Sequence, residues 1–162
     1  MLGWTGGAQW PFFTAAPEYT DGQPNPLDRW SRRHMTALAE TSGAVPLFPF
    51  GGPPVHPFLR WATRAEAVHP SSIHILIHPD WGLWHAWRGA LAFAEPFELP
   101  PRDARPSPCD ACCDRPCTIQ ADFDTARAAC PVGTPYGPEQ RAFHIAAFRR
   151  GIALSSGTSS RG

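Results

Sequence analysis

The run Ile73-His74-Ile75-Leu76-Ile77-His78-Pro79-Asp80-Trp81-Gly82-Leu83-Trp84-His85-Ala86-Trp87-Arg88-Gly89-Ala90-Leu91-Ala92-Phe93-Ala94 carries the clearest strand pattern in the chain. Ile73, Ile75 and Ile77 alternate with His74, Leu76 and His78, and residues two apart fall on one face of a strand. Pro79-Asp80-Trp81-Gly82 is a turn signal. Beyond it Leu83, His85, Trp87, Leu91 and Phe93 share a face, while Gly89 and two Trp weigh against a helix over 83–94. The expectation is a hairpin of strands 73–77 and 83–94.

Helices flank this run. Over 26–42, Leu27, Trp30, Ser31, His34, Met35 and Leu38 follow helical spacing, with Asn25 as N-cap, Pro26 as first helical residue and Gly43 as stop. Residues 57–68 read as a second, shorter helix. Residues 44–50 are a weak strand interrupted by Pro46 and Pro49. The opening, 3–22, is rich in Gly, Pro and aromatics and reads as loop. On the other side, 96–108 is a proline-rich linker, 124–129 a short helix, and Gly137-Pro138 opens a final helix running to Arg150, with Gly151 after it. The whole is an α+β fold, a small sheet with flanking helices.

Composition narrows the possible roles. The 162 residues suffice for one domain, or one domain with an appendage. Fourteen basic residues balance fourteen acidic ones, so neither nucleic acid nor an anionic membrane surface is an expected partner. Every basic residue is Arg, which excludes Schiff-base and P-loop lysine chemistry. Twenty Pro and fourteen Gly make regular elements short, and seven Trp can help to fill a small core. No stretch approaches the roughly 20 apolar residues that span a bilayer. Met1-Leu2-Gly3-Trp4 lacks a signal-peptide start, and the expected location is the cytoplasm.

All five cysteines fall within one short segment: Cys109-Asp110-Ala111-Cys112-Cys113-Asp114-Arg115-Pro116-Cys117, then Cys130-Pro131. In a reducing compartment such crowding points to metal ligation or redox chemistry rather than to disulfides, and an odd count leaves one thiol over. Bacterial [4Fe–4S] sites use C-x2-C-x2-C-x3-C-P. Here Cys109 and Cys112 keep the first spacing, Cys112 and Cys117 are farther apart, and Cys130-Pro131 supplies the closing Cys-Pro. One [4Fe–4S] cluster on Cys109, Cys112, Cys117 and Cys130 fits the count, with Cys113 spare or standing in for Cys112 or Cys117. A structural zinc ion on the same four thiols and an unligated, redox-labile set are the competing readings.

Pro26-Leu27-Asp28-Arg29-Trp30-Ser31-Arg32-Arg33, Phe48-Pro49-Phe50-Gly51-Gly52-Pro53-Pro54, Ile77-His78-Pro79-Asp80-Trp81-Gly82-Leu83-Trp84-His85, Cys109-Asp110-Ala111-Cys112, Cys130-Pro131-Val132-Gly133 and Gln140-Arg141-Ala142-Phe143-His144 carry a resemblance. The chain resembles, over nearly its whole length, a family of bacterial ferredoxin-domain proteins distantly similar to epoxyqueuosine reductase. That enzyme pairs a cobalamin-binding domain with a two-cluster ferredoxin domain. Family members start with an extra strand before the Leu2-Gly3-Trp4 position and carry more cysteines between the Cys117 and Cys130 positions, so the chain reads as truncated at its start and internally deleted.

The expected organisation is an α+β domain over 1–100, a ferredoxin-like Cys-rich segment with a C-terminal helix over 101–151, and a polar, disordered tail over 152–162. One [4Fe–4S] cluster on these cysteines implies electron transfer with an unidentified redox partner protein. The alternatives are a reductase module whose N-terminal domain binds a cofactor, cobalamin by distant analogy, and a zinc-stabilised structural domain.

Other side chains have both a plain and a functional reading. His74, His78 and His85 read as half-buried residues beside Trp81, Trp84 and Trp87, or as a three-His metal or corrinoid site. His144 reads as a helix-face residue, or as a hydrogen-bond partner of a cluster sulfur. Arg105 and Arg115 flank the cysteines, where positive charge favours a reduced cluster. No nucleophile–His–acid grouping is evident.

Overall fold

The computed structural model describes the backbone of residues 1–157 and the side chains of 1–148. Its centre is a three-stranded antiparallel sheet of β1 (Leu2–Thr5), β2 (Val45–Leu47) and β5 (His85–Ala92), in the order β1-β5-β2. Thr5 pairs with His85 and Gly3 with Trp87 on one side of β5, and Leu47 with Ala90 and Val45 with Ala92 on the other. Pro46 is tolerated because β2 is an edge strand, where a missing N–H faces away from the ladder.

The expected hairpin does not form. Only Leu76–Ile77 (β4) is strand, and it pairs with His69–Pro70 (β3) in a separate two-stranded piece. Residues 72–75 form a turn in which Ser71 N–H donates to the Ile75 carbonyl and His74 N–H to the Ser71 carbonyl, with His74 at φ 64°. The turn signal at 79–82 is real: His78 and Gly82 exchange both backbone hydrogen bonds, each 2.9 Å long. The next two residues, Leu83 and Trp84, go inward and are 2% and 0% exposed. The chain therefore does not fold back on β4, and β5 takes its partners from residues far away in sequence.

The long helix α3 (Pro26–Ser42) has the expected limits. Gly43, at φ 67°, ends it in the left-handed conformation. Asn25 stands at the cap position but is itself left-handed, and its side chain makes no capping bond. Helix α4 (Phe58–Ala65) is shorter than expected. The opening is not loop. It holds α1 (Trp10–Thr14) and α2 (Pro17–Thr20), each with proline in its first turn, where the missing N–H costs nothing.

These two short helices supply the main core. Phe13 is 0% exposed and packs with Ala16 and Trp30, surrounded by Trp4, Trp10, Tyr19, Leu27 and Phe143. Outside it, Glu18 pairs with Arg33 at 2.6 Å and Asp21 with Arg29 at 2.6 Å, tying α2 to α3. Arg33 holds the Glu18 carboxyl well below its ordinary value, at about 2.

Residues 93–107 have no helix or strand. Two 3₁₀ turns (Pro108–Asp110 and Pro116–Ile119) and α5 (Phe123–Ala128) follow. Helix α6 (Pro138–Gly157) passes Gly151, the expected stop, because glycine lowers helix stability without forbidding it. The expected disordered tail over 152–162 thus begins inside this helix, and residues 158–162 lie outside the described residues. No helix among the described residues is long and apolar enough to cross a membrane.

Candidate metal centre

The cysteine segment is held against the rest of the fold by four contacts. The turn Trp81-Gly82 meets Val132-Gly133 backbone to backbone. A Cβ on Gly82 would stand 2.5 Å from the Val132 carbonyl carbon, and one on Gly133 would stand 2.8 Å from the Gly82 nitrogen. No residue but glycine allows this approach. Arg127 of α5 donates to the Leu83 carbonyl at 2.8 Å and lies over Trp84, 4.2 Å from its ring centre. Tyr136 stacks edge-on against the same indole at 5.0 Å. Arg105 adds a two-pronged bond to Asp80, at 2.7 and 2.9 Å.

These contacts bring four thiols around one cavity. Cys109 leaves the first 3₁₀ turn, Cys112 follows it, Cys117 sits in the second, and Cys130 follows α5. All four line a space of about 20 Å³ with Ile77, Leu83 and Val132, and Arg115 stands at its rim. Cys113 is exposed and does not line it; its thiol points to the Ala111 carbonyl at 3.9 Å. Burial pushes the Cys130 thiol above its ordinary value. Its neighbours Cys117, Cys109 and Cys112 push the same way, and the nearby Val132 main chain opposes them. None of the five cysteines is in a disulfide.

The donor set suits a thiolate-bound centre. No carboxylate or imidazole lines the cavity, and its walls are almost wholly apolar. Ser71, also in the wall, is 8% exposed and its buried Oγ has no partner. A buried hydroxyl left unpaired costs about 1–3 kcal/mol, which a sulfur acceptor in the cavity would offset. Among the described residues no three His, Cys, Asp or Glu side chains stand close enough to hold one metal ion. Around a single zinc, sulfurs lie about 3.8 Å apart, from Zn–S bonds of about 2.3 Å in a tetrahedron. The space between the thiols now takes about one water, so either centre seats only as the loops shift.

The histidines lie elsewhere. His74 is exposed on its turn. His78 accepts the Asp80 and Trp81 N–H groups on Nδ1, at 3.0 and 3.3 Å, so its neutral ring carries a proton on Nε2 and has no lone pair for a metal. His85 is the reverse: Nδ1 faces the Gly82 carbonyl at 3.0 Å and must hold the proton, leaving Nε2 a lone pair. A three-His site is therefore not assembled among the described residues. His144 does not line the cysteine cavity; it packs on Tyr136 and Phe143. Burial, with Arg127 and Arg88 nearby, lowers its pKa to about 4.

Sequence reasoning missed Ser71, Ile77 and Leu83 as walls of the site, and it missed the two facing glycines. Gly82 belonged to a turn signal and Gly133 followed Cys-Pro, but nothing local says that they meet. Comparison with protein-family models, with curated proteins and with solved structures finds no match.

Proposed function

We propose that this chain is an electron carrier that holds one [4Fe–4S] cluster on Cys109, Cys112, Cys117 and Cys130. The observation that carries this reading is the convergence of those four cysteines, without Cys113, on one apolar cavity. Burial, with Cys117, Cys109 and Cys112 beside it, disfavours a bare thiolate at Cys130, and a multivalent cation among the sulfurs would offset that. A buried thiol pushed up in pKa is also a poor nucleophile, which counts against thiol catalysis.

When bound, the cluster supplies one-electron chemistry. The four thiolates would hold its irons, with the Val132 main chain beside the Cys130 sulfur. Ile77, Leu83 and Val132 keep water off the sulfurs, and Arg115 at the rim favours the reduced form. The electron donor is a redox partner protein. The enzyme reading, a reductase module, draws on one further observation. A cavity of about 880 Å³ between the loop before α3, Arg88 of β5 and Phe143 and His144 of α6 has the size of a small-molecule site.

Anaerobic purification followed by iron, sulfide and zinc analysis tests the proposal. The expected protein is brown, with about four irons and four sulfides per chain. Cys130→Ser loses the iron, and Cys113→Ser keeps it. Colourless protein with one zinc, or iron retained in Cys130→Ser, overturns it. A second chromophore in the absorption spectrum would favour the reductase.

A further inference from the structure

A separate cavity of about 150 Å³ lies on the sheet face opposite the main core, and it is walled by Trp81, Trp87, His78 and His85. Alternation along the paired strands sets this face. Thr5, His85 and Trp87 point one way, while the Trp4 ring turns the other way to pack on Trp30 at 5.4 Å. The one carboxylate lining the cavity is Glu66, which accepts the Trp87 indole N–H at 3.3 Å.

We infer that this cavity binds the head group of a small organic cation, a methylated ammonium, between the Trp81 and Trp87 indoles and the Glu66 carboxylate. Indole faces attract cations, most strongly where water is excluded, and aromatic boxes are the recurring means of holding quaternary ammonium groups. A cavity of this volume takes a group of about benzene size, which a trimethylammonium matches. Trp81 stands 44% exposed beside it, an indole in water that the fold does not bury. His85 does not oppose the charge. His85 offers an Nε2 lone pair, an acceptor for a ligand hydroxyl, and burial lowers its pKa to about 4, so it is neutral. A metal ion is the poorer occupant, because His78 has no lone pair to give. The Arg102 guanidinium bonds the Glu66 main-chain carbonyl, and among the described residues the Glu66 carboxylate is in no salt bridge. This inference is independent of the cluster.

Titration with choline, followed by tryptophan fluorescence and by calorimetry, tests it, with 3,3-dimethylbutan-1-ol as an uncharged isostere. A trimethyl-lysine peptide in a parallel arm distinguishes a free cation from one carried on a chain. The expected result is saturable binding of at least one cation, at least tenfold weaker binding of the isostere, and about fivefold or greater weakening in Glu66→Gln. Trp81→Ala weakens binding tenfold or more, and Trp81→Phe retains part of it. Glu66→Gln changes no shape and keeps an acceptor for Trp87, so it reads the charge in a folded protein. Equal binding of choline and its isostere, unchanged affinity in Glu66→Gln, or no saturable response to either cation overturns the inference.

Discussion

Gly82→Ala removes the approach that seats the Cys130 arm, and its cost can be worked from the geometry. Gly82 sits at φ 57°, a conformation that costs an L residue about 1–2 kcal/mol. Its new Cβ would lie 2.5 Å from the Val132 carbonyl carbon, where ordinary contact begins at 3.4 Å. The Val132 carbonyl oxygen stands nearer still, and both atoms are backbone and cannot rotate away, so the turn and the Val132-Gly133 segment must part, an overpacking of about 1–3 kcal/mol. The sum, about 2–5 kcal/mol, is a large share of the 5–15 kcal/mol of a typical domain. Gly22→Ala isolates the first part. Gly22 has φ 72° and no atom within 4 Å of its Cβ position, so only the conformational cost of about 1–2 kcal/mol applies. Urea unfolding followed by tryptophan fluorescence gives both values. Gly82→Ala should lose at least about 1 kcal/mol more than Gly22→Ala and should also retain less iron. Equal losses in the two variants would refute the argument that this contact positions the cysteine loop.

Phe13→Ala, at the centre of the aromatic core, should cost about 3–5 kcal/mol in the same assay. Acid should act in two stages. Buried His85 and His144, with pKa values lowered to about 4 from an ordinary 6.5, contribute stability that is full above pH 6.5 and falls toward pH 4, at up to about 1.4 kcal/mol per pH unit for each residue. His144→Gln should flatten that slope, measured as unfolding free energy against pH. Glu18, lowered to about 2 from 4.5 by Arg33, holds its contribution above pH 4.5 and loses it as pH falls toward 2, so Glu18→Gln should show less change in that window. On the cluster reading, Ser71→Ala should stabilise the metal-free protein by about 1 kcal/mol. Voltammetry should find the potential of the loaded variant lower than that of the unmodified protein, because a sulfur has lost a donor.

The sequence made some of these features legible and left others hidden, for physical reasons. Helix α3 was readable because Pro26 and Gly43 are local punctuation. The α1 and α2 helices were not, because their prolines look like loop residues until they are seen to occupy first turns. The alternation of Ile73–Ile77 misled: only Leu76–Ile77 is strand, it pairs with β3 rather than with β5, and the buried Ile77 walls the cysteine cavity. The partners of β5 come from residues 2–5 and 45–47, and no local pattern encodes a pairing across so long a span. For the site, spacing put forward Cys109, Cys112, Cys117 and Cys130 but left Cys113 able to replace Cys112 or Cys117; the fold places the first four, and not Cys113, on one cavity. What brings Cys130 to the others, the meeting of Gly82 with Val132 and Gly133, is a contact between residues about fifty positions apart, and a single sequence is silent on it.

The aromatic cluster around Phe13 is closed by Phe143, one of the last described side chains. A nascent chain thus exposes Trp10, Phe13 and Tyr19 for most of its synthesis, until their cover emerges from the ribosome. Such sticky, long-lived intermediates invite chaperone capture. A message cut short before α6 would yield a product prone to aggregate, even with every cysteine present.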